Sequence, residues 1–196
     1  MLYAFDGREP KIGKGVYISD QSVVIGDVQI GDGCYVGPGA ILRGDYCRIE
    51  IGSGTAVEEN VIIHAPPVRV CQIGKKVTLG HGAIIHASSI GDLAVIGMGA
   101  VLSLRAKVGE RAIVAEGAVV KMNQKVPPGV VVAGNPATVI RSVSPEDEER
   151  WKKGKQLYID LAKKYLRIGL QPIGKSDSSD LRNPTGRPVK KKLRNK

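Results

Sequence analysis

Aliphatic residues return at every sixth position along most of this chain. They occupy Ile12, Ile18, Val24, Ile30, Val36 and Leu42, then Ile51, Val57 and Ile63, then Ile73, Leu79 and Ile85. The longest run follows at Ile90, Ile96, Leu102, Val108, Val114, Val120, Val126 and Val132. An amphipathic α-helix would repeat at 3.6 residues, and simple strand alternation would not single out one position in six. A sustained hexapeptide period predicts a parallel β-helix, in which each six residues form one flat side and a corner. The aliphatic side chain fills the narrow interior. Nine of the twenty aliphatic positions are followed directly by Gly, from Gly13 to Gly109, and this pattern predicts corners where a side chain or a negative φ would be strained. The expected fold class is all-β, with the prism covering about residues 1–140.

Breaks in the period mark where loops leave the prism. Leu42 to Ile51 holds three residues too many, Ile63 to Ile73 four too many, and Ile85 to Ile90 one too few. Past Val132, Gly134-Asn135-Pro136 signals a turn. A single helix is then predicted over 144–170, with Ser144 as N-cap, Pro145 at the first helical position and Asp147 three residues after the cap. Acidic residues 146–149 open it, and Lys163, Lys164 and Arg167 close it, the order that the helix dipole favours. Trp151, Gly154, Tyr158, Leu161 and Tyr165 share one face, which is expected to pack along the prism or a neighbouring subunit.

All three histidines of the chain, His64, His81 and His86, fall within 23 residues. Imidazole is the commonest protein ligand for zinc-like ions, and three of them with an open position define a catalytic rather than a closed structural site. Counting sides rather than residues places His64 and His86 at the same corner on adjacent rungs, about 4.8 Å apart. His81 lies on the preceding side, roughly 16 Å along the surface from His86. One chain cannot bring it to the same ion, but a symmetric oligomer can. The geometry therefore predicts metal sites at subunit interfaces, with His64 and His86 from one chain and His81 from the next.

Composition agrees with a thin prism: the chain has 25 Gly and only eight aromatic residues, too few large side chains for a broad core. It has no 18-residue apolar run and no signal peptide at Met1, so no membrane association is expected. Cys34, Cys47 and Cys71 fit no zinc-ribbon or paired spacing and read as reduced, structural thiols of a cytoplasmic protein. The net charge of +10 is uneven. Residues 174–196 hold eight Lys or Arg against Asp177 and Asp180, or +6, leaving +4 for the rest. That tail has almost nothing to bury and is expected to be disordered. Without interleaved aromatics its contact with nucleic acid would be nonspecific at most.

Taken together, the hexapeptide array, His64, the segment His81-Gly-Ala-Ile-Ile-His86, Arg43-Gly44-Asp45 and the closing helix resemble the gamma-class carbonic anhydrases. The likeness is nearest to their short bacterial and archaeal homologues of the carnitine-operon and phenylacetate-degradation type, and covers about residues 1–170. It implies a left-handed β-helix, a homotrimer, and zinc, with iron or cobalt as replacements, bound by His64 and His86 of one subunit and His81 of its neighbour. It further implies that Arg43 and Asp45 lie at the subunit interface near the site and that Tyr158 is a helix tyrosine close to it. The implied activity is a lyase reaction, the reversible hydration of carbon dioxide to bicarbonate by metal-bound hydroxide. Glu58 stands where the family usually has Gln, Glu59 where Asp is usual, and Ala56 where Asn is common. Glu58 would accept a hydrogen bond from the metal-held water. The family's acidic proton-shuttle loop has no counterpart in the Pro66 to Gln72 insertion. Two other readings stand beside it: a hexapeptide acyltransferase, which uses a single His as base and leaves the shared corner of His64 and His86 unexplained, and a noncatalytic, metal-stabilised trimer that serves assembly.

Overall fold

The computed structural model describes residues 1–67, 70–86 and 89–172. The basic tail, residues 174–196, lies outside them. The chain winds as a parallel β-helix of about seven turns. Three flat faces alternate. The first carries Tyr17–Ile18, Tyr35–Val36, Ala56–Val57, Thr78–Leu79, Val95–Ile96, Ile113–Val114 and Val130–Ala133 in parallel register. The second and third faces are joined through two long strands, Val23–Ile30 and Ile41–Ile51, that run through a corner without leaving the sheet. Ile62–His64, Ile84–His86, Val101–Leu102 and Val119–Val120 continue the second face. Cys71–Ile73, Ser89–Ile90, Lys107–Val108 and Lys125–Val126 continue the third.

The period chooses the core. Val24, Leu42, Ile63, Ile85, Leu102 and Val120 are Cα partners from rung to rung and stack as one fully buried column. Each such side chain contributes about 1.5–3 kcal/mol relative to exposure. Of the aliphatic positions, only Ile12 and Ile18 are half-buried, in the first turn at the open end of the prism. A second column sits two residues earlier, and the six-residue count of aliphatics does not reveal it. Cys34, Ala40, Val61, Cys71, Val77, Ala83, Ala94 and Ala100 fill it, all fully buried. Small side chains fit where two faces converge. Cys34 and Cys71 belong to that column, which bears out the structural reading of both thiols, and burial pushes the Cys34 thiol up to about 11.

The corner glycines are needed for a different reason from the one the pattern gave. The Gly directly after the core aliphatic has an ordinary φ, and it is close approach between rungs that excludes a side chain there. A Cβ on Gly109 would lie 2.4 Å from the nitrogen of Pro128, and one on Gly97 2.5 Å from that of Glu116. The left-handed residue comes two positions later, as at Gly15, Gly33 and Gly99. Gly109→Ala should therefore force two rungs apart.

The prism closes with an element the sequence reading missed. Thr138–Ser142 folds back antiparallel on Val130–Ala133 after the expected turn. The helix, α1, then runs from Pro145 to Ile168. Ser144 caps it as expected: its hydroxyl accepts from the Asp147 amide, and the Asp147 carboxylate accepts from the Ser144 amide. The helix packs on the first face of the prism, its predicted face inward. Its aromatic residues meet tyrosines of the prism, with Tyr165 stacked on Tyr17 at 4.6 Å and Tyr158 tilted against Tyr35 at 5.3 Å. The most buried members of that face, Lys155 and Ala162, were not among those expected.

Candidate metal centre

Register places His64 and His86 side by side. They are Cα partners on neighbouring rungs of the second face, and their rings stack with centroids 5.3 Å apart and planes 18° from parallel. Arg43 is the Cα partner of His64 one rung below. The three extra residues after Leu42 form a bulge here, which carries Asp45 and Tyr46 outward beside the imidazoles. Asp45 Oδ1 lies 3.2 Å from His64 Nε2, and Asp45 Oδ2 accepts from Arg43 at 2.6 Å. Arg8, unremarked in the sequence, holds the bulge by donating to the carbonyls of Asp45 at 2.6 Å and Tyr46 at 2.9 Å. Burial tends to raise the Asp45 carboxyl, but the hydrogen bond and charge of Arg43 outweigh it and keep the group below its ordinary value. Burial, reinforced by the charge of Arg43, lowers the His64 imidazole. Neutral imidazole is the form that binds a metal ion.

His81 belongs to a separate group on the first-face side. It follows Leu79 at a corner, one rung from Glu58 and Glu59, because Leu79 and Val57 are Cα partners. Glu59 Oε2 lies 2.6 Å from His81 Nδ1, and Glu58 Oε2 lies 3.1 Å from His81 Nε2 while accepting from the His81 amide at 3.2 Å. Glu58 is only 5% exposed. It is covered by His81 and by Tyr158, which hydrogen-bonds it from α1. Burial raises the Glu58 carboxyl, and His81 and the Tyr158 hydroxyl partly offset it. Burial and the charge of Glu58 raise the Tyr158 phenol well above its usual range. Behind Glu59, the Tyr35 hydroxyl donates to Oε1 at 2.7 Å.

The expected site residues thus fall into two clusters. Arg43, Asp45, His64 and His86 form one, and Glu58, His81 and Tyr158 the other. Among the described residues no three His, Cys, Asp or Glu side chains of one chain converge as a metal cage. The donor chemistry of the first cluster still fits a borderline divalent cation, since it pairs two imidazoles with a carboxylate that can orient one of them, His64. Sequence reasoning named Glu59 without giving it a role, and missed Tyr35 and Arg8. Rung counting could have found Glu59, which sits 22 residues before His81, one 18-residue turn plus the four-residue insertion.

This architecture and its placement of histidines at corners define a hexapeptide-repeat protein. Residues 9–44 match the family model described as bacterial transferase hexapeptide (six repeats). The chain is 35% identical over 181 residues to a carbonic anhydrase of Geobacillus kaustophilus, covering 92% of this chain and 100% of that one. It is 37% identical over 151 residues to the carnitine operon protein CaiE of Escherichia coli, covering 77% and 76%. It is also 37% identical over 168 residues to gamma carbonic anhydrase 2, mitochondrial, of Arabidopsis thaliana, covering 83% of this chain but 60% of the plant protein's length. Among solved structures, a hexapeptide transferase family protein from Anaplasma phagocytophilum superposes with a TM-score of 0.80 at 34% identity, covering 84% of this chain and 98% of that one. The chain belongs to the gamma carbonic anhydrase-like family of hexapeptide-repeat proteins. Among the described residues no helix is long and apolar enough to cross a membrane.

Proposed function

We propose that this protein is a metal-dependent carbonic anhydrase that hydrates carbon dioxide reversibly at sites shared between the subunits of a homotrimer. The observation that carries the reading is the pairing of His64 and His86 at 5.3 Å on adjacent rungs, with His81 held apart on another corner. His64, His86 and the neighbour's equivalent of His81 would hold a divalent ion, with zinc favoured by the imidazole set. When bound, such an ion supplies Lewis acidity that makes water ionise near neutrality. An exposed aliphatic column, Ile41, Ile62 and Ile84, runs along the second face beside the paired histidines. A neighbouring subunit seated there would cover it and deliver its His81 corner, and Glu58, Glu59 and Tyr158 would arrive with it.

The chain's own groups then divide the work. Arg43 holds Asp45, and Asp45 fixes the orientation of the His64 ring. Glu58 presents an acceptor to water in the site, and the Tyr158 hydroxyl holds that carboxylate in place. The negative charge of Glu58 opposes loss of a proton from nearby water, so hydration should be slow near neutrality and rise in alkaline buffer. Glu58→Gln should move that profile to lower pH and raise the rate. Stopped-flow hydration against pH, with both proteins at matched metal content, tests this. Coincident profiles would remove Glu58 from the site, and no hydration by either protein at any pH would favour the noncatalytic, metal-stabilised trimer over the enzyme. The likeness to a solved hexapeptide transferase family protein keeps acyl transfer as a second reading, which predicts full activity without metal.

A further inference from the structure

A cavity of about 600 Å³ lies between the first half of α1 and the upper turns of the first face, apart from both histidine clusters. Its walls are apolar, built by Leu93, Val95, Ile113, Trp151 and Ile159. Lys155 also lines it and is only 6% exposed. The Lys155 amine donates to two neutral partners, Thr78 Oγ1 at 3.3 Å and the Ala94 carbonyl at 3.1 Å, and sits 5.7 Å from the centre of the Trp151 ring. Glu58 acts on it only through space. Four further cations line the cavity, Lys76, Arg111, Lys152 and Lys153, and Arg111 faces Glu110 at 3.7 Å in an exposed pair. Of the carboxylates on the helix side, Asp147 is taken by Arg141 and Arg150, and Glu149 pairs with Lys153, leaving Glu148.

Burying an ammonium without a carboxylate opposes folding, and the group responds by losing its proton more readily. Burial accordingly brings the Lys155 amine down to about 8. A helix face that needed only packing would be served better by Leu or Met at this position. The cavity is of the size of small-ligand sites, which combine apolar walls with a few directed polar groups. We propose that it binds a small anion with a flat apolar body, a carboxylate or phosphate ester on an aromatic ring, with the ring between Trp151 and the aliphatic wall and the anionic group on Lys155 and Arg111.

Trp151 is the only tryptophan in the chain and reports on the cavity directly. The full-length protein, treated with chelator, is titrated with phenyl phosphate, benzoate and the uncharged benzyl alcohol while Trp151 emission is followed. The expected result is a saturable change with at least one of the two anions, at least about tenfold tighter than with the alcohol, as a charged hydrogen bond provides. Lys155→Met should weaken anion binding about tenfold or more and raise the thermal midpoint at pH 7, and the rim variant Arg111→Ala should weaken it several-fold without touching the buried amine. Equal affinity for anions and alcohol, no saturation with either anion, or undiminished anion binding by both variants overturns the proposal. Because metal is absent throughout, failure here leaves the shared histidine site untouched, and a response that appears only when metal is restored assigns it to the histidines and overturns the cavity.

Discussion

The two histidine clusters are built by different means. His64 and His86 owe their meeting to the prism alone: parallel register stacks the residue after each core aliphatic on the one below, so fixing Ile63 over Leu42 and Ile85 over Ile63 fixes the imidazoles as well. His81 depends on more. Its ring is held by Glu58 and Glu59, and those carboxylates are held by Tyr158 of α1 and by Tyr35, which touches α1 through the same tyrosine cluster. The repeat makes one half of the site and the docked helix tunes the other, so damage to the helix should be felt at His81 and not at His64.

The sharpest way to break that comparison is to remove one ligand from each half. His64→Ala and His81→Ala proteins should each lose most of their metal affinity, since a site with three protein ligands does not tolerate the loss of one. Unfolded together and refolded, the two variants should recover about one site in four, because of the four equally frequent neighbour orders only one sets an intact His64 against an intact His81. Metal analysis of the mixture checks this, and full occupancy in His81→Ala alone would end the shared-site reading. The next effect is smaller. Glu59→Gln and Tyr35→Phe should each weaken metal binding by roughly tenfold, the usual effect of losing a partner that orients a ligand. Glu59→Asp should restore part of the affinity, and the nitrogen chemical shifts of His81, but not those of His64, should report the change of ring partner.

Helix docking can be loosened without touching a ligand. Ser144→Ala should lower stability by about 1 kcal/mol and, through α1, soften the His81 half first. The same cap has a pH signature. Arg141 and the Ser144 amide hold the Asp147 carboxyl well below its ordinary value, so this aspartate stabilises the fold fully above the unfolded value of about 4, and the contribution is lost as pH falls below it. Urea unfolding of wild type and Asp147→Asn should therefore differ most at neutral pH and converge in acid. The smallest effect belongs to residues 174–196, whose composition buries little. Their deletion should leave thermal midpoint and metal content unchanged, and a drop in either would mean that the tail packs on one of the two halves.

The sequence by itself determined the prism, the side on which each residue falls and the pairing of His64 with His86. It also determined the capped helix from Ser144. A strict period leaves one narrow interior to fill, so rung and face follow by counting, insertions included. Tertiary structure decided what counting aliphatics cannot reach. The column of Cys, Ala and Val two residues earlier is set by where faces converge, the glycine after each aliphatic by how closely rungs approach, and the return strand Thr138–Ser142 by an edge that needs a partner. That Glu58 is buried follows from α1 laying Tyr158 over it, and that the Lys155 amine is buried follows from the docking of the same helix. Both depend on contacts between residues far apart in the chain, brought together by packing, to which a local period is blind.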